Sequence, residues 1–88
     1  MQIVEGELFV ASLAKLFRES HRPGILNSIR LHMRFNARRI SVFFSELGEQ
    51  QLRVARLYVG SDIGYLRIFF EIGSDKIVLW HVSQDARR

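Results

Sequence analysis

The chain has 88 residues and a net charge of +4, and its positive charge comes from eleven arginines and only two lysines. It has no cysteine, which excludes a disulfide framework and a cysteine-based zinc site. Its hydrophobic share of 48% excludes a disordered chain. No signal-peptide pattern is visible, and no run approaches the roughly 20 apolar residues of a membrane span. We therefore expect one domain over residues 1–88, cytoplasmic and with no membrane segment.

The high arginine content indicates which kind of molecule the protein binds. Arginine suits phosphate, carboxylate and base-stacking contacts, because its planar guanidinium is rigid and always charged. A nucleic acid or an acidic protein is thus favoured as the partner. An arginine-rich surface that only faces solvent is the competing interpretation, since a net charge of +4 is modest.

The first quarter of the chain predicts a helical hairpin. Residues 2–4, of which Ile3 and Val4 are apolar, form either an edge strand or a frayed entry to the first helix. Residues 7–19 carry an apolar stripe at helical spacing, with acidic residues at the start and basic residues at the end. The only proline, Pro23, lies in the segment 20–24, which predicts the bend between two helices.

Residues 25–47 fit a second, longer helix. Apolar residues and one asparagine follow at steps of three and four, and Arg30, Arg34 and Arg38 form a ridge beside them. Gly48 suits the position after the last turn. The segment 39–45 is rich in β-branched and aromatic residues, so a strand there is the alternative, with a break near Asn36. We favour the helix.

The rest of the chain predicts three strands. Residues 51–59, 65–72 and 76–82 are apolar runs with polar turns at 60–62 and 73–75, and the tail 83–88 is expected to be poorly ordered. The predicted fold is α+β: an N-terminal helical hairpin packed on a three- to four-stranded antiparallel sheet. Alternation places Ile77, Leu79 and His81 on the core face and Val82 on the opposite face.

The opposite face of the predicted sheet is also aromatic. Phe69 and Trp80 cannot share the core with Ile68 and Leu79, because they point the other way. A second apolar face in so small a protein indicates that a ligand or a partner chain covers it. A homodimer is one assembly that would do so.

Few residues suggest a catalytic or binding site. The three histidines lie in three different elements with no ligand spacing, so neither a metal nor any other cofactor is expected. Basic residues on neighbouring strands, if they converge, would bind a phosphate backbone or stabilise charge on a phosphoryl group: Arg53 or Arg56, Arg67 and His81. Aromatic residues of the sheet would stack bases: Tyr65, Phe69 and Trp80. Strand parity does not tell which of these residues share a face.

Each of these residues also has an ordinary structural explanation. For Arg67 it is an ion pair with Glu71 or a solvated surface. For His81 it is a buried, hydrogen-bonded position in the core. For Phe69 and Trp80 it is the core or a dimer contact. Only together do the residues favour a binding surface.

Several local strings resemble the RelE/ParE superfamily of toxin–antitoxin toxins. The start reads M-x-I-V, followed by Phe9, Leu13, Lys15 and Leu16 in the pattern F-x-x-x-L-x-K-L. The strand YLRIFF at 65–70 is similar to the family's Y-R-I-x-Y strand, and DKIVLWHV at 75–82 to its I-V-V-L-x-V strand. The resemblance covers nearly the whole chain.

The resemblance implies a small α+β toxin that an antitoxin protein neutralises. RelE-like members cleave messenger RNA on the ribosome without a metal, and ParE-like members act on DNA gyrase. Arg67 matches the arginine that contacts the scissile phosphate, and His81 lies on the last strand, where some members place a catalytic residue. Glu71 is the other acid–base candidate near Arg67. The basic C-terminal segment corresponds to Arg87 and Arg88.

The chain also departs from the family pattern. Phe70 replaces the usual tyrosine of the strand, no tyrosine follows the last strand, and the lysines of many ribonuclease members are absent. We therefore expect the toxin fold more firmly than metal-independent endoribonuclease activity. Two alternatives stay open: a non-catalytic interaction domain that pairs through its aromatic sheet face, and a small RNA-binding module. Arg53, Arg56, Tyr65, Trp80, Arg87 and Arg88 are the expected nucleic-acid contacts.

Overall fold

The computed structural model describes residues 2–47 and 50–85, and it contains two helices and five strands. In chain order these are β1 (Gln2–Glu5), α1 (Glu7–Leu16), α2 (Arg22–Asn36), β2 (Ser41–Leu47), β3 (Gln50–Tyr58), β4 (Tyr65–Ile72) and β5 (Lys76–Asp85). A single 3-10 turn, Glu19–His21, separates the helices. The α+β class is confirmed, and the residues at the N-terminus form an edge strand.

The five strands make one mixed sheet in the order β1-β5-β4-β3-β2. Strand β1 runs parallel to β5, with Ile3 opposite Ile77, and the other neighbours are antiparallel. The prediction of a three- to four-stranded antiparallel sheet is therefore wrong in strand number and in the direction of β1. A parallel pair needs a long connection, and the whole of the intervening chain supplies it here.

The second helix is shorter than we expected. It ends at Asn36, whose carbonyl accepts hydrogen bonds of 3.0 Å from the N–H groups of both Arg39 and Ile40. Ser41 then begins β2, because the β-branched and aromatic residues that follow favour an extended backbone. The helix favoured for 25–47 is thus wrong beyond Asn36, and the alternative strand is correct. The predicted cap, Gly48, lies outside the described residues.

The core lies between the helices and one face of the sheet, which we call the inner face. Its buried residues come from both helices, the turn after α2 and the three central strands: Phe9, Leu13, Ile25, Ile29, Met33, Ala37, Ala55, Leu57, Leu66, Ile68, Phe70, Ile77, Leu79 and Val82. The predicted core position of Ile68 in β4 is confirmed, because Leu66, Ile68 and Phe70 are all buried. In β3 the buried residues are Ala55 and Leu57.

The link between β1 and α1 approaches β5 closely. The Gly6 N–H donates a hydrogen bond of 2.9 Å to the Leu79 carbonyl. A Cβ atom at Gly6 would lie only 2.9 Å from that oxygen, so a larger residue would push the backbones apart. Glycine at this position lets the chain leave the sheet edge and start the helix directly.

The C-terminal end of the described chain is ordered in the sheet. Ser83, Gln84 and Asp85 belong to β5 and lie opposite Arg67, Leu66 and Tyr65 of β4. The expectation of a poorly ordered tail is wrong for these three residues, because the strand pairing continues through them. Arg87 and Arg88 lie outside the described residues.

Candidate nucleic-acid interface

The sheet face that the helices leave uncovered, which we call the outer face, carries the candidate site. Strand β3 contributes Val54, Arg56 and Tyr58, each directly opposite a residue of β4. These partners are Phe69, Arg67 and Tyr65. On the other side of β4, His81, Ser83 and Asp85 of β5 lie opposite the same three residues. The three strands therefore form three rows of side chains across one surface.

The middle row places two guanidinium groups side by side. Arg56 and Arg67 are directly opposed, and both are exposed to solvent. Like charges in this arrangement repel each other. A carboxylate offsets the repulsion: Arg56 Nε donates to Asp85 Oδ2 at 2.5 Å, and Arg67 lies 3.9 Å from Asp85 Oδ1. Two cations share one anion, so the row keeps a net positive charge for an anionic ligand.

Two tyrosines close one end of the outer face. The Tyr58 and Tyr65 rings meet edge to face with centroids 5.2 Å apart, and the Arg56 guanidinium lies 3.7 Å from the centre of the Tyr65 ring. Stacking on the ring fixes the guanidinium in place. The position of Arg56 is thus set by Tyr65 on one side and Asp85 on the other.

A β-bulge in β5 turns His81 toward the outer face. Phe69 lies opposite His81 while Phe70 lies opposite Leu79, so Trp80 is an extra residue in β5. The extra residue reverses the alternation beyond Leu79. Val82 is therefore buried in the core and His81 is exposed. The predicted core-face position of His81 and the opposite position of Val82 are wrong for this reason.

The next row of the outer face is aromatic. The Phe69 ring lies 5.9 Å from the His81 ring, and on its other side it meets Phe44 of β2 edge to face at 5.2 Å. Phe44 and Val42 are both more than half exposed. An apolar strip thus runs from the edge strand β2 to His81, beside the row of arginines.

Arg67 and His81 are the two candidate catalytic residues that the structure brings together. His81 is a diagonal neighbour of Arg67 across β4 and β5, a separation of roughly 7–8 Å. Glu71 lies four residues from Arg67 along β4, about 13 Å away. Its carboxylate accepts a hydrogen bond of 2.8 Å from the indole N–H of Trp80. Glu71 therefore positions Trp80, and it does not reach the Arg67 site.

Arg53 is separated from the other expected contacts. It lies opposite Phe70 and Phe43, two positions of the inner-face register. Its guanidinium donates to Ser41 Oγ at 3.1 Å and lies 4.1 Å from the centre of the Phe43 ring. Arg56, Tyr65 and Trp80, in contrast, all belong to the outer face.

Sequence reasoning missed Tyr58 and Asp85. Tyr58 shares the parity of Arg56 on β3, which could have identified it. Asp85 was assigned to a disordered tail, and only its place opposite Tyr65 shows that it belongs to the site.

The described residues contain neither a metal-ligand cluster nor a membrane-spanning helix. Residues 2–47 and 50–85 contain no cluster of three His, Asp or Glu side chains arranged to hold a metal ion. Neither helix in that part of the chain has the length and apolarity needed to cross a membrane.

Comparison with known proteins gives no relative. No protein-family profile, curated protein or solved structure matches the chain.

Proposed function

We propose that this protein is the toxin of a toxin–antitoxin pair of the RelE/ParE type, and that it binds messenger RNA on the outer face of its sheet. The proposal rests on one observation: Arg56 and Arg67 lie directly opposite each other, with His81 one diagonal away. Sequence alternation left open whether these residues share a face. Their shared face supports a phosphate-binding role.

The chemistry of the outer face suits a single RNA strand. The arginine pair attracts a phosphate, since guanidinium groups match the geometry of phosphate oxygens. The adjacent row, with Phe69 and His81, offers rings on which a base can stack. The strip is open, so it suits unpaired bases better than a stiff duplex.

His81 is the candidate for proton transfer. In the proposed cleavage the 2′-oxygen forms a bond to phosphorus, its proton passes to the imidazole, and the bond to the 5′-oxygen breaks. The arginine pair stabilises the charge on the phosphoryl oxygens. Glu71 is too distant to protonate the leaving 5′-oxygen, which takes a proton from water instead. With a single proton-transfer group, cleavage is slow compared with enzymes that use two.

The test is growth arrest on induced expression. We expect arrest by the natural chain, loss of arrest with Arg67→Ala, and no loss with Arg18→Ala, an exposed arginine remote from the outer face. His81→Ala should lose messenger RNA cleavage in the same cells, and it should weaken RNA binding less than Arg67→Ala does. Soluble yield and the circular dichroism spectrum check that each variant is folded.

Three results would contradict the proposal. Arrest with intact messenger RNA and inhibited DNA supercoiling would favour gyrase as the target. Arrest that persists in a folded Arg67→Ala variant would exclude the outer face as the acting surface. No arrest at high soluble yield would favour an interaction domain.

The interaction domain is the second candidate, and the apolar strip supports it. Val42 is 67% exposed and Phe44 is 61% exposed, both at the open edge of the sheet. Surfaces of this kind are usually covered by protein. A salt-insensitive homodimer in sedimentation experiments, lost with Phe44→Ser, would favour this function.

A further inference from the structure

The exposed side of α2 carries two large apolar residues that the core does not use. Leu31 and Phe35 are one helical turn apart, and they are 60% and 70% exposed. On the opposite side of the helix, Ile29 and Met33 are buried against the sheet. The helix is therefore apolar on two sides, and the fold covers only one of them.

Arginines surround these two residues, and no acidic residue lies near them in the sequence. Residues 22–40 contain no Asp or Glu. Arg30 pairs with Glu5 of β1. Arg34, Arg38 and Arg39 have no ion pair within the part of the chain that the structure describes. This surface, which we call the α2 surface, combines apolar side chains with unneutralised positive charge.

Two depressions flank Arg34 on the α2 surface. One, of about 240 Å³, lies where the end of α2 meets β4 and β5, and its lining includes Phe35, Arg38, Met33, Ile72 and Ile77. The other, of about 400 Å³, lies between Asn27, Arg30, Leu31 and Arg34. Both are open to solvent, and the second is formed entirely by side chains of α2.

We propose that the α2 surface docks an acidic amphipathic helix of a partner protein. The partner's apolar face covers Leu31 and Phe35 and places a side chain in each depression, as in helix-in-groove recognition. Its flanking carboxylates meet Arg34, Arg38 and Arg39. This inference rests on α2 and the turn that follows it, and it does not depend on the proposed function of the outer face.

Charge and shape favour this occupant over others. A second copy of the chain would bring arginines against arginines if it docked through the same surface. A nucleic acid would neutralise the arginines but leave Leu31 uncovered. An anionic lipid surface would also neutralise them, but it has no side chains to fill the two depressions. An acidic amphipathic helix would cover the apolar residues, neutralise the arginines and fill the two depressions.

The experiment uses a fluorescent peptide of about 18 residues, long enough to form a helix, with leucine at i, i+3, i+4 and i+7 and glutamate elsewhere. A matched peptide has lysine in place of glutamate. Fluorescence anisotropy with the full chain should give at least tenfold tighter binding of the glutamate peptide. Arg34→Gln and Phe35→Ala should each weaken it about tenfold, the effect of losing roughly 1.4 kcal/mol.

Two control variants match the tested ones. Leu8→Ala removes an apolar residue of similar exposure, 64%, from α1, and Arg18→Gln removes an exposed arginine outside the α2 surface. Both should bind the glutamate peptide as the natural chain does. Arg67→Ala, on the outer face, should also bind it unchanged, which separates this inference from the proposed function.

Any of four outcomes would overturn the inference. The first two are equal affinity for the two peptides and no effect of Arg34→Gln and Phe35→Ala. The third is that single-stranded RNA binds more tightly than the glutamate peptide and that both variants weaken this RNA binding. The fourth is the same result with phosphatidylserine vesicles in place of RNA. The last two would assign the α2 surface to a nucleic acid or to a membrane.

Discussion

Ser12 of α1 accepts a hydrogen bond of 3.0 Å from the backbone N–H of Val82 in β5, although 70 positions separate them. The same hydroxyl donates to the Phe9 carbonyl at 2.9 Å. Strand β1 pairs with β5 only as far as Leu79, and the bulge follows directly. A buried side chain of α1 therefore provides the partner that the sheet does not give to Val82, just where β5 turns His81 outward.

Replacing Ser12 should destabilise the fold. Ser12→Ala leaves the buried N–H of Val82 without a partner, which costs about 1–3 kcal/mol. The midpoint of thermal unfolding should fall by about 4–8 °C for each kcal/mol. Ser20→Ala, at an exposed serine, is the control and should unfold like the natural chain. Equal midpoints for both variants would show that Ser12 has no such role.

The bulge predicts opposite effects for two adjacent residues. Val82→Ala removes two buried methyl groups and should cost about 2 kcal/mol, since each contributes roughly 0.8 kcal/mol and a small cavity remains. His81→Ala removes an exposed ring and should change stability by less than about 0.5 kcal/mol. Urea denaturation measures both. A larger loss of stability for His81→Ala than for Val82→Ala would show that β5 keeps the regular alternation and that His81 lies in the core.

Neutralising Asp85 should strengthen RNA binding. Asp85→Asn removes the anion shared by Arg56 and Arg67, so the site gains one net positive charge. The affinity for single-stranded RNA should rise about fivefold, and its logarithmic salt dependence should steepen by about 0.7. Stability should fall by about 1–3 kcal/mol, because the Asp85 side chain is only 5% exposed and loses its charge-assisted hydrogen bond from Arg56.

Asp75→Asn is the matched control for this experiment. It makes the same charge change in the exposed link between β4 and β5, at the other end of these strands. Its RNA affinity should stay near that of the natural chain. An equal gain for both variants would mean that net charge, and not the arginine pair, governs binding.

Two glycine substitutions should shift stability in opposite directions. Gly6→Ala places a Cβ atom 2.9 Å from the Leu79 carbonyl oxygen and should destabilise by about 1–3 kcal/mol. Gly24→Ala meets no atom within 4 Å in the first turn of α2 and should stabilise by about 0.4–1 kcal/mol. Denaturant midpoints compare the two variants directly. A neutral Gly6→Ala would show that the β1–α1 link can move away from β5.

The single tryptophan provides a reporter for the outer face. Trp80 is half-buried beside His81, and its indole N–H is bound to Glu71. Single-stranded RNA should change its emission on titration. The glutamate peptide should leave the emission unchanged, because the α2 surface lies on the other side of the sheet. If the peptide changed the Trp80 emission and RNA did not, the outer face would bind the peptide and would not bind RNA.

Local structure is predictable from the amino-acid sequence wherever the hydrophobic period and the turn chemistry agree. The hairpin of β4 and β5, the buried face of β4 and the first helix all follow from this agreement. So does the presence of aromatic residues on the second sheet face. Each of these depends on neighbours within a few positions, which is the range over which alternation and propensity act.

Features that depend on distant partners arise from the packing of the whole chain and could not be predicted from local sequence. Residues 41–47 became a strand because β3 was available to pair with them, although helical spacing extends through the same segment. The extra residue at Trp80 reversed the exposure of His81 and Val82, and no local signal marks it. The arginine pair and its shared Asp85 exist because strand register, set across three strands, aligned residues 56, 67 and 85. Register is a property of the whole sheet, so the site emerged only with the fold.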